Sequence, residues 1–249
     1  MPNRLYSRVR QIAAQAANAA AELAWPTRCV SCDMPGELLC DECRASLPWV
    51  NQRWACPVCG APYGWLTCTC CEEEWEARTT ICALSFGRTA SQMVACLKDR
   101  SELRLAGVNA AAMATALDEA SAYPAKDGEP RFSVNAIDAV CFVPATAAAY
   151  VRRGFDHMEL VSRELCGELD LPLADVLVRA RGVDQRKLGR EERSSNLVGT
   201  MEVAEDISGL RLLLLDDVVT TGASLREATR TLLDRGAQNV TCCALTRVW

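Results

Sequence analysis

One segment constrains this chain more than any other: Leu212 to Ser224, which reads L-L-L-L-D-D-V-V-T-T-G-A-S. Four consecutive leucines without alternation read as a strand buried on both faces, the kind found in parallel sheets. Asp216 and Asp217 follow at its carboxyl end, where ligands bind in open α/β sheets. Thr220, Thr221, Gly222, Ala223 and Ser224 are small or hydroxylated and precede a helix with Leu225, Ala228 and Leu232 on one face. Glycine permits a tight backbone path, so successive N–H groups converge on an anion, and the helix terminus adds unsatisfied donors. Two carboxylates beside an anion site need a reason, because they repel the anion. Vicinal hydroxyls supply one, since carboxylates are strong acceptors. The segment therefore predicts a site for a phosphorylated ribose. A plainer reading has the acids end a strand while Thr220 or Ser224 caps the helix; it leaves the acid pair and the small-residue run unconnected. The segment has no G-K-S/T, which excludes a Walker A loop, and no Rossmann fingerprint follows the first candidate strand.

The neighbouring pattern alternates strands with helices. Ile81 to Phe86 is a strand candidate, followed by helical spacing through Met93, Leu97 and Leu103 to Leu117. Residues 121–136, with Pro124, Gly128 and Pro130, read as a surface loop. Ile137 to Val143 is a strand ending at Pro144, and Phe155 to Leu169 is a helix. Leu210 to Leu215, Leu225 to Leu233 and Val240 to Leu245 read as strand, helix and strand, with Gly236 ending the helix. This order predicts an α/β fold: a mostly parallel sheet with flanking helices. Between residues 179 and 193, six basic side chains (Arg179, Arg181, Arg186, Lys187, Arg190, Arg193) stand against three acidic ones. They form either a solvated face or a clamp for a diphosphate, whose oxygens match guanidinium forks. In the second case Mg²⁺ neutralises the diphosphate.

The chain has fifteen cysteines, and eight of them form four CxxC pairs: Cys29/Cys32, Cys40/Cys43, Cys56/Cys59 and Cys68/Cys71. Eight thiolates at knuckle spacing suit two structural Zn²⁺ sites, and the odd total argues against a disulfide framework. Sequential use groups the first four and the last four; crossed pairing stays open. Cys70 competes with Cys71 as the last ligand, and two intervening residues favour Cys71. Gly60 directly after Cys59 eases the turn under the metal. Cysteines 82, 96, 141, 166, 242 and 243 lie in apolar stretches and read as small buried hydrophobes.

Charge and hydropathy narrow the function classes. Residues 26–80 carry four basic groups against eight acidic ones, and each Cys₄ zinc site adds negative charge. That makes a poor surface for nucleic acid and points to a structural or protein-binding module, whose core would use Trp49, Trp54, Trp65 and Trp75. Residues 4–24 read as an Ala-rich helix stopped by Pro26 after Trp25. Gln11, Gln15, Asn18 and Glu22 interrupt it, so neither a signal peptide nor a membrane span is expected. Metal-type cysteines and the lack of a long apolar run together predict a cytoplasmic protein.

On these residues Leu212 to Ser224 resembles the signature of type I phosphoribosyltransferases, whose donor is 5-phosphoribosyl 1-pyrophosphate (PRPP). Over its whole length the chain is similar to the ComF (GntX-like) family, which joins a double zinc ribbon to such a domain. The likeness rests on W-P-T-R-C-V-S-C (25–32), C-P-V-C-G (56–60), L-K-D-R (97–100), R-R-G-F-D (152–156) and R-E-E-R-S-S-N-L (190–197). The resemblance implies an N-terminal helix at 1–25, a double zinc-ribbon module at 26–78 and a phosphoribosyltransferase-like domain at 79–249. It gives Asp216 and Asp217 the ribose hydroxyls and wraps Thr220 to Ser224 around the 5-phosphate. Val143 and Pro144 lead into the pyrophosphate side, with Arg152, Arg153 and Gly154. Residues 179–196 become an arm over the site, with Gln185, Arg193 and Asn196 at matching positions. Asp156-His157-Met158 departs from the usual Asn-Gln-Ala or Asn-Gln-Ser, so His157, the single histidine, is either a ligand contact or an ordinary helix-start residue.

Two functions follow as expectations. The first is a Mg²⁺-dependent phosphoribosyltransferase that releases pyrophosphate, with Asp216, Asp217 and Arg193 as its catalytic set. The alternative is a non-catalytic accessory protein of DNA uptake, or natural transformation, that uses the PRPP pocket for binding or regulation. Its protein partners of uptake or recombination would dock through the zinc module.

Overall fold

The computed structural model describes residues 26–71, 75–179 and 201–249; the helix expected at 4–24 and the arm residues Gln185, Arg193 and Asn196 lie outside them. Among the described residues the main sheet has four strands, all parallel, in the order β1-β6-β5-β2: β1 (Thr79–Ser85), β2 (Ala139–Phe142), β5 (Arg211–Val219) and β6 (Asn239–Arg247). A short antiparallel pair, β3 (Leu177–Arg179) and β4 (Met201–Val203), flanks the stretch outside the described residues. The helices are α1 (Asp41–Ala45), α2 (Arg88–Arg100), α3 (Leu105–Ala120), α4 (Ala147–Arg153), α5 (His157–Leu169) and α6 (Ala223–Asp234). None of the described helices is long and apolar enough to cross a membrane.

The chain forms two compact units, divided between Ser46 and Leu47, within the module that the sequence reading draws as 26–78. In the first unit, residues 26–46 bury only Thr27, Cys29 and Leu39. The second unit contains the sheet. Leu212 to Leu215 are fully buried, as an apolar run without alternation requires. Side chains alternate across a strand, so Leu213 and Leu215 face one side and Leu212 and Leu214 the other. Helices α3 and α5 pack on each other and against the sheet. The opposite face joins Leu212, Leu214, Cys242 and Ala244 to Leu225, Ala228 and Leu232 of α6. The same packed cluster includes Cys56, Cys59, Ala61 and Trp75. A metal-type ribbon thus covers part of the sheet that a helix covers in a plain α/β layer arrangement.

The ribbon is fastened there by buried polar groups. Arg131, 1% exposed, donates to the carbonyls of Gln52 (2.7 Å), Ala55 (3.1 Å) and Pro124 (3.0 Å). Gln52 donates in turn to the carbonyls of Val50 and Cys82. Gly60, at φ +70°, lies so near β1 that a Cβ there would stand 2.6 Å from the Cys82 Sγ. Of the four tryptophans expected in the module's core, Trp75 is buried, whereas Trp49, Trp54 and Trp65 are exposed. The sheet supplies the apolar wall they were expected to make.

Candidate functional site

Strand β5 runs on past its leucines to Val219, so Asp216 and Asp217 lie on its last turns of pleat rather than beyond it. They line a cleft of about 290 Å³ with Lys98, Pro144, Arg153, His157, Arg179 and Ser224. The cleft opens at the carboxyl ends of β2 and β5, where an open parallel sheet offers unpaired polar groups to a ligand. Asp216 is buried, and accepts the Asp217 N–H at 2.9 Å. Asp217 alternates to the α5 side, where its Oδ2 receives Lys98 Nζ at 2.6 Å and His157 Nε2 at 2.8 Å.

These surroundings split the acid pair electrostatically. Burial, reinforced by the adjacent Asp217 charge, pushes the Asp216 carboxyl up to about 8. Burial pushes Asp217 the same way, but the His157 hydrogen bond and the Lys98 charge prevail and hold it well below the usual carboxylate range. The surroundings thus favour carrying the pair's charge on Asp217 over carrying it on Asp216. His157 Nδ1 faces an Arg153 nitrogen at 3.5 Å. Arginine only donates, so in the neutral ring Nε2 carries the proton given to Asp217.

The departure at residues 156–158 has a structural use. Asp156 caps α5 by accepting the Met158 N–H at 2.9 Å, and its other oxygen accepts the Ala145 N–H at 2.6 Å. One buried side chain thus fixes the start of α5 against the turn after Pro144. Next to it, Thr146 caps α4, a helix the sequence reading did not expect, and Gly154 at φ +81° ends it. Arg153 reaches from α4 to Asp99 (3.3 Å), and its buried Nε has no partner among the described residues. Arg152, expected beside it, is exposed and does not line the cleft. Arg179 of β3 lines it, tied by its Nε to the Pro144 carbonyl at 3.0 Å.

The small-residue loop joins β5 to α6. Thr220 and Thr221 are exposed, while Gly222 is buried at φ +80° and immediately precedes α6. Arg247, 2% exposed, donates to the carbonyls of Val219, Thr220 and Val248 from the end of β6. A buried cation therefore ties down carbonyls at the loop's entry and adds positive potential beneath it.

Both cysteine groups have the geometry of metal sites. Cys29, Cys32, Cys40 and Cys43 bring their sulfurs within 4.8 Å of one another, as do Cys56, Cys59, Cys68 and Cys71. Close pairs are 3.7 Å (Cys32–Cys40), 3.6 Å (Cys56–Cys71) and 3.5 Å (Cys59–Cys68). Tetrahedral Zn–S bonds of about 2.3 Å put sulfurs about 3.8 Å apart, so the sets fit structural Zn²⁺. The grouping is sequential, and Cys71 rather than Cys70 joins the second set.

Among the cleft residues, Lys98 is the one that sequence reasoning left without a role; Arg179 was counted with the basic clamp, and His157 was left between a ligand contact and a helix-start residue. Lys98 and Asp217 are separated by 119 positions, and no local pattern links them. Only the L-K-D-R segment signalled Lys98.

The fold and the two cysteine sets define a class: a double zinc ribbon followed by a phosphoribosyltransferase-like domain. Residues 20–66 match the double zinc ribbon domain family, and residues 150–248 match the phosphoribosyl transferase domain family. The DNA utilization protein YhgH of Salmonella typhi is 30% identical over 237 residues, spanning 89% of this chain and 97% of that protein. Competence protein F of Haemophilus influenzae is 28% identical over 127 residues, 49% of this chain and 56% of that protein. An orotate phosphoribosyltransferase of Nocardioides sp. is 33% identical over 87 residues, 34% of this chain and 49% of that enzyme. The chain belongs to the ComF/YhgH family.

Proposed function

We propose that this chain is an accessory protein of DNA uptake or utilization whose cleft binds a phosphoribosyl ligand such as PRPP for binding or regulation. The full-length relatives, named for DNA utilization, support that role over phosphoribosyl transfer. The observation that carries the ligand reading is the split acid pair beside the loop at 220–224. Ionised Asp217 offers acceptor oxygens to ribose hydroxyls, and protonated Asp216 both donates and accepts. Thr220 to Ser224 take the 5-phosphate. Lys98, Arg153 and Arg179 line the pyrophosphate side with Pro144, and Mg²⁺ accompanies the diphosphate. Lys98 is the mobile charge in this scheme, leaving Asp217 for a diphosphate oxygen when a hydroxyl takes its place.

The acid pair and the partial likeness to an orotate phosphoribosyltransferase support a second reading, transfer. An acceptor nucleophile would form a bond to the anomeric carbon of PRPP while the bond to pyrophosphate breaks. Calorimetric titration with PRPP and Mg²⁺, then an assay of pyrophosphate release across nucleobases and small amines, separates the two. Binding without release supports the accessory role, release with any acceptor establishes transfer, and absence of binding removes both. Replacing Asp216 and Asp217 together by alanine is expected to weaken PRPP by roughly 10²–10⁴-fold. Inorganic phosphate, which has no hydroxyls to lose, should bind the double variant at least as well.

A further inference from the structure

We infer that Trp75, delivered by the second cysteine cluster, is a positioning residue for the loop at 220–224, so that zinc in that cluster and anion in that loop stabilise one another. This rests on the phosphate reading of the loop and adds to it the element that shapes it. Trp75 is 5% exposed and belongs to the same packed cluster as Cys56, Cys59 and Leu225. Its six-membered ring occupies the space beside Gly222: a Cβ at that glycine would lie 2.3 Å from Trp75 Cη2 and 2.5 Å from Cζ2. The loop thus holds its left-handed turn with an indole edge filling the place of a side chain.

Two further contacts hold the ring. The Arg226 guanidinium, one turn into α6, stands 5.6 Å from the Trp75 ring centroid and also donates to the Thr221 carbonyl at 3.3 Å. Lys126 donates to the Trp75 carbonyl at 3.3 Å, which fixes the backbone. The indole Nε1 is buried with no hydrogen-bond partner among the described residues; what the ring offers the loop is its shape and its face. Four residues before it, Cys71 ends the second cluster. Opening that cluster frees Trp75, and freeing Trp75 leaves a void under Gly222. Linkage is reciprocal, so a ligand that fixes the loop must raise the cluster's hold on its metal.

The test uses the full chain loaded with zinc and a chelator titration with and without PRPP, a Cys32→Ser chain identifying the second cluster's step. In the parent chain, saturating PRPP should raise the chelator concentration for half-removal of that zinc by about fivefold or more, and leave the first cluster's step unchanged. In Trp75→Leu, and in the milder Trp75→Phe, the protection should shrink below about twofold while two zinc ions are still bound. Protection that survives in both variants overturns the inference, as does PRPP that binds without protecting. A structural role alone would lower both curves equally and leave their ratio unchanged. If PRPP fails to bind at all, amide exchange decides independently of that reading. Trp75→Phe must speed exchange at Gly222 to Ser224 about tenfold relative to β6, and unchanged exchange overturns the proposal.

Discussion

Around the first cysteine cluster, residues 26–46 bury Thr27, Cys29 and Leu39, and Cys32 stands exposed. Around the second, Cys56 and Cys59 are buried among Val50, Ala55, Ala61, Trp75 and the inner face of the sheet. The ligand chemistry is the same in both, but the surroundings decide what each metal site holds together. The first organises its own short segment. The second is part of the core of the larger unit: Gly60 lies against Cys82 of β1, and Cys56, Cys59 and Trp75 belong to the packed cluster on the sheet's inner face. Two copies of one motif have become a self-contained module and a building block of an α/β fold.

The strongest test removes one thiol from each. Cys59→Ser is expected to yield no folded protein, or to lower the main thermal transition by more than about 15 °C. Structural zinc contributes on the order of 10 kcal/mol of binding free energy, comparable with the whole stability of a domain. Cys32→Ser should move that transition by less than about 3 °C. Similar shifts in the two variants, read by circular dichroism, would erase the distinction.

Next in size is Arg131→Met, which keeps length and removes the donors. Three carbonyls, of Gln52, Ala55 and Pro124, lose a buried partner, at a cost of about 3 kcal/mol in all. The main transition should fall by roughly 6–12 °C, with the second cluster's zinc easier to remove and the first unaffected. A loss confined to the first cluster would break the assignment of Arg131 to the sheet unit.

Chelation gives a smaller, graded version of the same contrast. The exposed first cluster should release its zinc at lower chelator concentration, and the near-ultraviolet signal of the sheet unit should persist through that step. Simultaneous loss of both ions and of that signal would mean one cooperative structure. The sequence reading draws residues 26–78 as one module; with Cys56 and Cys59 buried in the larger unit, its two clusters are expected to open separately.

What could be read beforehand was what local pattern encodes. Leu212 to Leu215, the loop after them and the four CxxC pairs carry their meaning within a few residues of chain. Helix α4 has its signals in Thr146 and Gly154, but its A-A-A-Y-V-R-R run shows little amphipathic spacing to mark it as a helix. The ion pair between Lys98 and Asp217, and the packing of Trp75 on Gly222, join residues more than a hundred positions apart. Nothing in either segment names its partner. The acid pair was visible as two aspartates, yet its division into a neutral and a charged member depends on Lys98, His157 and burial, which only the fold supplies.

The smallest effect concerns that division and returns to the two clusters. Asp216 has an ordinary value of 3.8 and is pushed up to about 8 in the folded chain. Between those values the folded state holds a proton that the unfolded state has released, so Asp216 makes stability fall as pH rises from about 4 to about 8. Asp217 is depressed instead; the stability it contributes is lost only as pH falls below the ordinary carboxylate range, outside a window of pH 5 to 8. Within that window Asp216→Asn isolates the first effect, since an amide keeps the shape and cannot ionise. The cleft is open to water, so the gain of the variant over the parent between pH 5 and pH 8 should be about 1–2 kcal/mol, a widening of roughly 2–8 °C between their transitions. Asp216 lies on β5, in the same unit as the second cluster, so at pH 8 the variant should also retain the second zinc at higher chelator concentration. The first cluster belongs to the other unit and should release its zinc identically in both chains. A gap that stays constant or narrows with rising pH would show that Asp216 holds no raised proton in the folded chain, and a change in the first cluster's step would show that the two units are not separate.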